Sequence, residues 1–282
     1  MRGFLWAARP AESFVSGAPS DTWERGDPYE LYIGRWSRRV APAFLAWLDV
    51  PQGERWLDVG CGTGALSEAI LERGAPSALT CVEPSPGFLE LARRRLQGRA
   101  TFHAGSAAAL PLEDGAVTVV VSGLVLNFIP DLPAALSEMI RVTAPGGTIA
   151  AYVWDYGDGM EMLRHFWDTA VALDPSAASL HEGTRFPLCD PAALRAAFEG
   201  AGLAQIETDG LEIPTPFADF EEYWTPFLGG QGPAPAYAMS LPEEQRTRLK
   251  ETLRTRLADR FGGATPLSAR AWSVRGAVGR TQ

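Results

Sequence analysis

The sequence predicts an α/β fold, a three-layer sandwich around a seven-stranded, mainly parallel sheet with an antiparallel last strand and a helical, aromatic cap. Three observations carry this expectation. Strand-like runs alternate with helix-length segments between residues 55 and 153, as they do in βαβ units. The run Val117–Ser122 is rich in β-branched residues, consistent with a central strand buried on both faces. A turn dense in glycine, Gly60-Cys61-Gly62-Thr63-Gly64, joins the first strand to the next helix.

Each element follows in order. Apolar residues recur at roughly helical spacing from Pro28 to Leu48, which predicts two short helices, with Pro42 early in the second. Strands are expected at Arg55–Val59, Ala78–Glu83, Ala100–Ala104, Val117–Ser122 and Gly147–Val153. Helices are expected at Ala65–Glu72, Pro86–Leu96 and Leu132–Val142. Beyond Trp154 the reading is a helix at Glu161–Leu173, irregular chain at Asp174–Leu188, and a helix at Pro191–Ala201. Ala204–Ile213 and Leu267–Val274 are taken as a closing strand pair. The aromatic and proline-rich stretch Pro214–Tyr237 and a charged helix at Pro242–Phe261 lie between them. The domain reading is a flexible arm at 1–27, N-terminal helices at 28–50 closing the site, and a main domain at 51–282. Cap insertions fall at about 156–190 and 214–262.

Composition narrows the function. The formal net charge of −9 gives no general attraction to phosphate backbones, so nucleic acid is not the expected partner. The run Arg93-Arg94-Arg95 reads as an exposed helix face. Three cysteines, odd in number and without CxxC spacing, point to a reducing, cytoplasmic setting and to neither a disulfide framework nor a zinc site. No apolar run reaches membrane-spanning length, and the opening residues are too short and poorly flanked for a secretory signal.

The glycine turn carries the functional reading. Glycines let backbone approach a ligand that a Cβ would block. The following helix offers free N–H groups to a carboxylate. Asp58 adds negative charge suited to an ammonium group, and Glu83, about twenty residues on, stands where ribose hydroxyls are held. A nucleoside bearing a zwitterionic amino acid meets all three demands. Gly60, Gly62 and Ala65 also satisfy the looser dinucleotide fingerprint, so a nicotinamide-dependent oxidoreductase is the competing reading. Asp58 and Gly64 argue against it.

Asp58-Val59-Gly60-Cys61-Gly62-Thr63-Gly64 resembles the first motif of class I S-adenosylmethionine-dependent methyltransferases, which are Rossmann-like. The resemblance covers about residues 51–155 and is nearest the small-molecule branch that includes the ubiquinone and menaquinone biosynthetic enzymes. It makes Glu83 the ribose acid and Gly105-Ser106-Ala107 the adenine turn. Val119–Ser122 with Leu126-Asn127-Phe128 becomes the strand facing the methyl group, and Glu138, Arg141 and Pro145-Gly146-Gly147 lead into the fifth strand. Ser106 stands where the family usually has Asp, and a hydroxyl accepts more weakly than a carboxylate.

The resemblance implies S-adenosyl-L-methionine as cofactor and methyl transfer to a small, apolar or aromatic acceptor by in-line displacement. The expected cofactor-binding residues are Asp58, Gly60, Cys61, Gly62, Gly64, Glu83, Pro84, Ser106, Ala107 and Leu124, with Tyr32 and Arg35 from the N-terminal helix. His165 is the candidate general base, and Asn127, Trp154, Tyr156, Trp167 and Trp224 are the candidate acceptor contacts. A non-catalytic protein that binds the same cofactor is the alternative from a different functional class.

Overall fold

The computed structural model describes residues 30–229, 232–261 and 266–280. The expected arm at 1–27 lies outside the described residues. Within them, seven strands form one sheet: β1 (Arg55–Val59), β2 (Ala78–Glu83), β3 (Thr101–Ala104), β4 (Val117–Gly123), β5 (Thr143–Trp154), β6 (Ala204–Thr215) and β7 (Leu267–Ala277). Their order is β3-β2-β1-β4-β5-β7-β6. Six run in one direction. β7 is antiparallel to both β5 and β6.

Alternation along the central strands sorts the core into two layers. Leu57, Val59 and Val120 face one side with Leu136, Met139 and Phe198. Trp56, Val119 and Val121 face the other with Phe44, Ile70 and Leu89. The first layer is covered by helices α4 (Leu132–Val142) and α7 (Pro191–Gly200). The second is covered by α1 (Arg35–Leu48), α2 (Ala65–Ala69) and α3 (Pro86–Leu96), and its cluster continues into the cap.

The N-terminal helix differs from expectation. A π-type turn at Glu30–Gly34 runs straight into one continuous α1, with Pro42 inside it. An interior proline costs about 3 kcal/mol through its missing N–H and its clash with the preceding turn. Trp36, Val40, Phe44 and Leu48, spaced four apart and all buried, offset that cost. The helix after the glycine turn also departs from a plain α-helix: α2 passes into a π-type turn at Ile70–Gly74.

The cap is richer than the sequence suggests. The stretch expected to be irregular forms a 3₁₀ turn at Pro175–Leu180, the short helix α6 (Glu182–Arg185) and another turn at Pro187–Cys189. Further helices are α5 (Glu161–Leu173), α8 (Phe220–Trp224), α9 (Pro233–Ser240) and α10 (Glu243–Arg256). Leu249 and Leu253 of α10 are buried, and Arg256 pairs with Asp168 of α5 at 2.8 Å. No helix among the described residues is long and apolar enough to cross a membrane.

Candidate active site

A cavity of about 310 Å³ opens along the C-terminal ends of β1, β2, β4 and β5. Open α/β sheets bind ligands at this edge, where the strand order reverses between β1 and β4. Its described lining holds two carboxylates, Asp58 and Glu83, and no Arg, Lys or His. The electrostatics therefore suit a cationic ligand.

Asp58 lies at the end of β1 and is completely buried. Ser67 Oγ, one turn into the following helical segment, donates to its Oδ2 at 2.6 Å, while Oδ1 has no partner. Burial pushes the carboxyl up to about 7, with the Ser67 hydrogen bond pulling the other way and Glu83 adding to the rise. Ser67 Oγ is also 3.2 Å from the Cys81 thiol. Cys61, beside the turn, has its thiol pushed up by its hydrogen bond to Cys81 and by burial.

Glu83 ends β2 and braces the turn. Its Oε2 accepts from Gly62 N at 3.0 Å and its Oε1 from Ser85 N at 2.9 Å. Each oxygen keeps lone-pair capacity for a further donor. Burial raises this carboxyl too. The turn is pinned elsewhere by Gly60 N and Cys61 N donating to Val82 O, and by Arg95 Nη1 donating to Thr63 O at 2.8 Å. Arg95 is thus part of the site's support, where the sequence suggested only an exposed helix face.

Gly60, Gly62 and Gly64 all have positive φ but differ in use. A Cβ on Gly60 would fall 2.7 Å from the Val125 side chain. One on Gly62 would meet nothing within 4 Å and would project into open space. Gly64 does not line the cavity; it is the N-cap residue of α2, and a Cβ there would touch Ala92 of α3.

The adenine-side expectations, Ser106 and Ala107, line the cavity with Pro84 and Cys61. Ser106 Oγ accepts from Ala108 N at 3.2 Å, which closes a tight turn. Glu138 and Arg141 hold this loop from α4: Leu110 N donates to Glu138 Oε2 at 2.8 Å, and Arg141 donates to Leu110 O and Leu112 O. Arg141 beside Glu138 holds that carboxyl down at about 2.

The part of the lining that comes from β5, three strands from β2, is aromatic. Leu124 lies beside it in the left-handed region at φ +66, its N–H donating to Tyr152 O at 2.7 Å. A non-glycine residue in this conformation marks strain worth about 1 kcal/mol or more at a candidate site. Tyr152 and Trp154, on one face of β5, and Tyr156, just past its end, make the aromatic wall that β5 contributes, and Phe128, Ile129 and Pro130 lie among the other lining residues.

Several expected contacts lie elsewhere. Asn127 does not line the cavity; its Nδ2 donates to Cys189 Sγ at 3.4 Å. Tyr32 is buried edge-on against Phe227, at 5.7 Å between ring centroids. Arg35 pairs with Glu222 at 2.9 Å, donates to Pro216 O and stacks 4.1 Å over Trp36, so it ties α1 to the cap. Trp167 donates to Glu182 and packs on Phe166, while Trp224 stacks on Phe220. Both serve the cap's own core. His165 is absent from the lining; neither ring nitrogen has a partner, and burial, with Arg164 and Arg256, pushes it down to about 4.

Ile33 and Ser37 are lining residues the sequence reading missed, one helical turn apart where the N-terminal turn passes into α1. Phe88 and Tyr152 are two more. Tyr152 carried a usable signal, because it lies two residues before Trp154 and so on the same face of β5.

Two features fit S-adenosylmethionine: a buried, unpartnered carboxylate oxygen on Asp58 for an ammonium group, and free space over Gly62 for a ligand at backbone distance. The family model for "Methyltransferase domain" matches residues 57–151. The chain is 44% identical over 157 residues to malonyl-[acyl-carrier protein] O-methyltransferase of Serratia marcescens, covering 51% of this chain and 60% of that protein. It is 30% identical over 249 residues to the protein of the same name from Geobacter sulfurreducens, covering 86% of this chain and 90% of that one. The crystal structure of the YcgJ protein from Bacillus subtilis superposes with a TM-score of 0.55 at 16% identity, covering 86% of this chain and 99% of that one, a likeness of fold. A relative matched along 90% of its length, on a sheet of this order, settles the family: the chain belongs to the class I S-adenosylmethionine-dependent methyltransferases.

Proposed function

We propose that this chain transfers the methyl group of S-adenosylmethionine to a small, flat, largely apolar acceptor, and that the methyl goes to oxygen. The observation that carries the reading is the division of the cavity lining across the sheet, with carboxylates and glycine backbone from β1, β2 and the turn after β1, and Tyr152, Trp154 and Tyr156 from β5 and its end, three strands from β2. The names of the Serratia and Geobacter relatives, both O-methyltransferases, support oxygen as the methylated atom.

When bound, S-adenosylmethionine supplies an electrophilic methyl group on a sulfonium. The rest falls to the chain. Asp58 holds the ammonium, Glu83 the ribose hydroxyls, and the Ser106 turn the adenine. The aromatic end orients the acceptor and excludes water, so that a two-body encounter becomes a held alignment. His165 is given no part in this scheme. Ile33 of the N-terminal turn and Ser37 of α1 contribute to the lining, and Phe186 of the cap backs Phe128 and Tyr156. Three unpaired thiols favour a cytoplasmic location.

The test has two stages. Calorimetric titration with S-adenosylmethionine and with NADH, on the wild type, Asp58→Ala and Glu83→Ala, fixes the cofactor. Methyl-labelled S-adenosylmethionine is then incubated with a panel of aromatic carboxylic acids, phenols and aromatic amines, and products are read by mass spectrometry. O-methyl products are expected. N-methyl products alone would overturn the choice of oxygen, and cofactor binding without turnover on any panel member would favour the non-catalytic alternative.

A further inference from the structure

Asp155 lies between two residues of the aromatic wall, Trp154 and Tyr156, yet does not line the cavity itself. Its side chain is 5% exposed. Oδ2 accepts from Arg270 Nη2 at 2.6 Å and from Nε at 2.9 Å, and Oδ1 accepts from Asp158 N at 3.1 Å. A forked, charge-assisted contact of this kind fixes direction as well as distance. The backbones are laced in the same place: Asp155 N donates to Arg270 O, Arg270 N to Gly159 O, and Met160 N to Asp155 O, each at 2.9 Å.

The fit leaves no slack. A Cβ on Gly159 would fall 2.6 Å from Arg270 Cβ and 2.8 Å from Asp155 Oδ2. From the other side, a Cβ on Gly183 would fall 2.8 Å from Tyr156 O. Arg270 is held in turn by stacking 4.6 Å over Trp272. The turn that carries Tyr156 is therefore clamped between β7 and the start of α6.

We infer that the Asp155–Arg270 ion pair is the positioning device of the acceptor wall, setting Trp154 and Tyr156 without touching the acceptor. This rests on the reading above that the aromatic end receives the acceptor. The pair joins the end of β5 to β7, whereas Asp58 and Glu83 end β1 and β2. Its loss should disturb the wall and spare the cofactor end.

The experiment uses the full chain labelled with 5-fluorotryptophan and saturated with S-adenosylhomocysteine, with the Trp154 fluorine resonance assigned from its absence in Trp154→Phe. In Asp155→Asn and Arg270→Met the Trp154 resonance shifts and broadens, while the S-adenosylhomocysteine Kd stays within about twofold of wild type, as independent sites allow. Arg270→Lys keeps the charge but not the fork, folds with the least disturbance, and gives an intermediate shift. An unmoved Trp154 resonance in folded Arg270→Lys and Arg270→Met overturns the inference. So does a loss of S-adenosylhomocysteine affinity that tracks the resonance change, which would make the pair a general support of the sheet. Failure of the wild type to bind S-adenosylhomocysteine would strike the cofactor reading instead, and is seen before any variant is made.

Discussion

Ser67 Oγ donates a 2.6 Å hydrogen bond to Oδ2 of Asp58, and Oδ1 of the same carboxyl has no partner. One oxygen is fixed and the other is left for a ligand. In the free protein this carboxyl titrates at about 7, raised mainly by burial. Below that pH, binding an ammonium group must expel a proton. S-adenosylmethionine affinity should then rise by about tenfold per pH unit up to 7 and level off, falling again once an amino group with an ordinary pKa of about 8 loses its charge. Calorimetry across pH 5.5 to 9, values chosen to bracket about 7 and 8, checks this. Ser67→Ala removes a hydrogen bond to the charged form, so its plateau should begin at higher pH. A wild-type affinity flat below 7 would sink the pairing. For folding the sign is reversed: the unfolded carboxyl ionises near 3.8, so the unliganded protein should lose stability as pH rises from there to about 7, and Asp58→Asn should remove that loss.

The glycines of the turn should separate folding from binding. Gly60→Ala places a Cβ 2.7 Å from Val125 at φ +72, so a loss of about 1–3 kcal/mol of stability is expected. Gly62→Ala meets nothing at φ +54 and should cost only about 1 kcal/mol through its backbone conformation. Its methyl group stands where the ligand must come, and S-adenosylmethionine affinity should fall at least about tenfold, a loss of 1.4 kcal/mol or more. Urea unfolding and calorimetry on both variants decide it. Equal affinities in Gly62→Ala and wild type would show that the ligand does not pass over this glycine.

Legibility in the sequence followed the range of the forces involved. Helices α3 and α4 have the bounds that the sequence predicts, because proline and capping residues act locally: Ser85 caps α3, Asp131 caps α4, and each is followed by an early proline. The carboxylate-and-glycine part of the lining was legible because it is short-range too: Asp58 is on β1, the glycine turn follows it directly, and Glu83 ends the adjacent parallel strand β2, within reach of Gly62 N. The aromatic part of the lining depends on which aromatic residues pack on one another across the chain, and spacing does not encode that. Trp167 and Trp224 went to the cap's core, whereas Tyr152, unremarked in the sequence, reached the cavity. Arg35 was misread because its partner, Glu222, lies far along the chain.

Glu83 is expected to serve two purposes that one substitution can expose together. Its oxygens accept from Gly62 N and Ser85 N while facing the cavity. In Glu83→Gln one of these acceptors becomes an amide donor, so one backbone N–H loses its partner at a cost of about 1–3 kcal/mol. Cofactor affinity should fall between about tenfold and a hundredfold, since the ribose contact and the shape of the turn both suffer. The reading fails if Glu83→Gln binds S-adenosylmethionine as tightly as wild type.

His165 provides the sharpest test of the catalytic assignment. It was the natural candidate for a base from its place after β5, but it does not line the cavity, and its two ring nitrogens are buried without a partner. Burial, then Arg164 and Arg256, push it down to about 4, against an ordinary value of 6.5. A histidine kept neutral in the folded state contributes stability that is fully present above 6.5 and is lost as pH falls toward about 4. His165→Leu should flatten that stretch of the stability profile, measured by thermal melts across it, and leaves no polar group orphaned. Methyl transfer and S-adenosylmethionine affinity should stay within about twofold of wild type, because the ring touches neither end of the cavity. A loss of turnover beyond about tenfold, with melting temperature and cofactor affinity unchanged, would return His165 to the reaction and require the cap to open toward it.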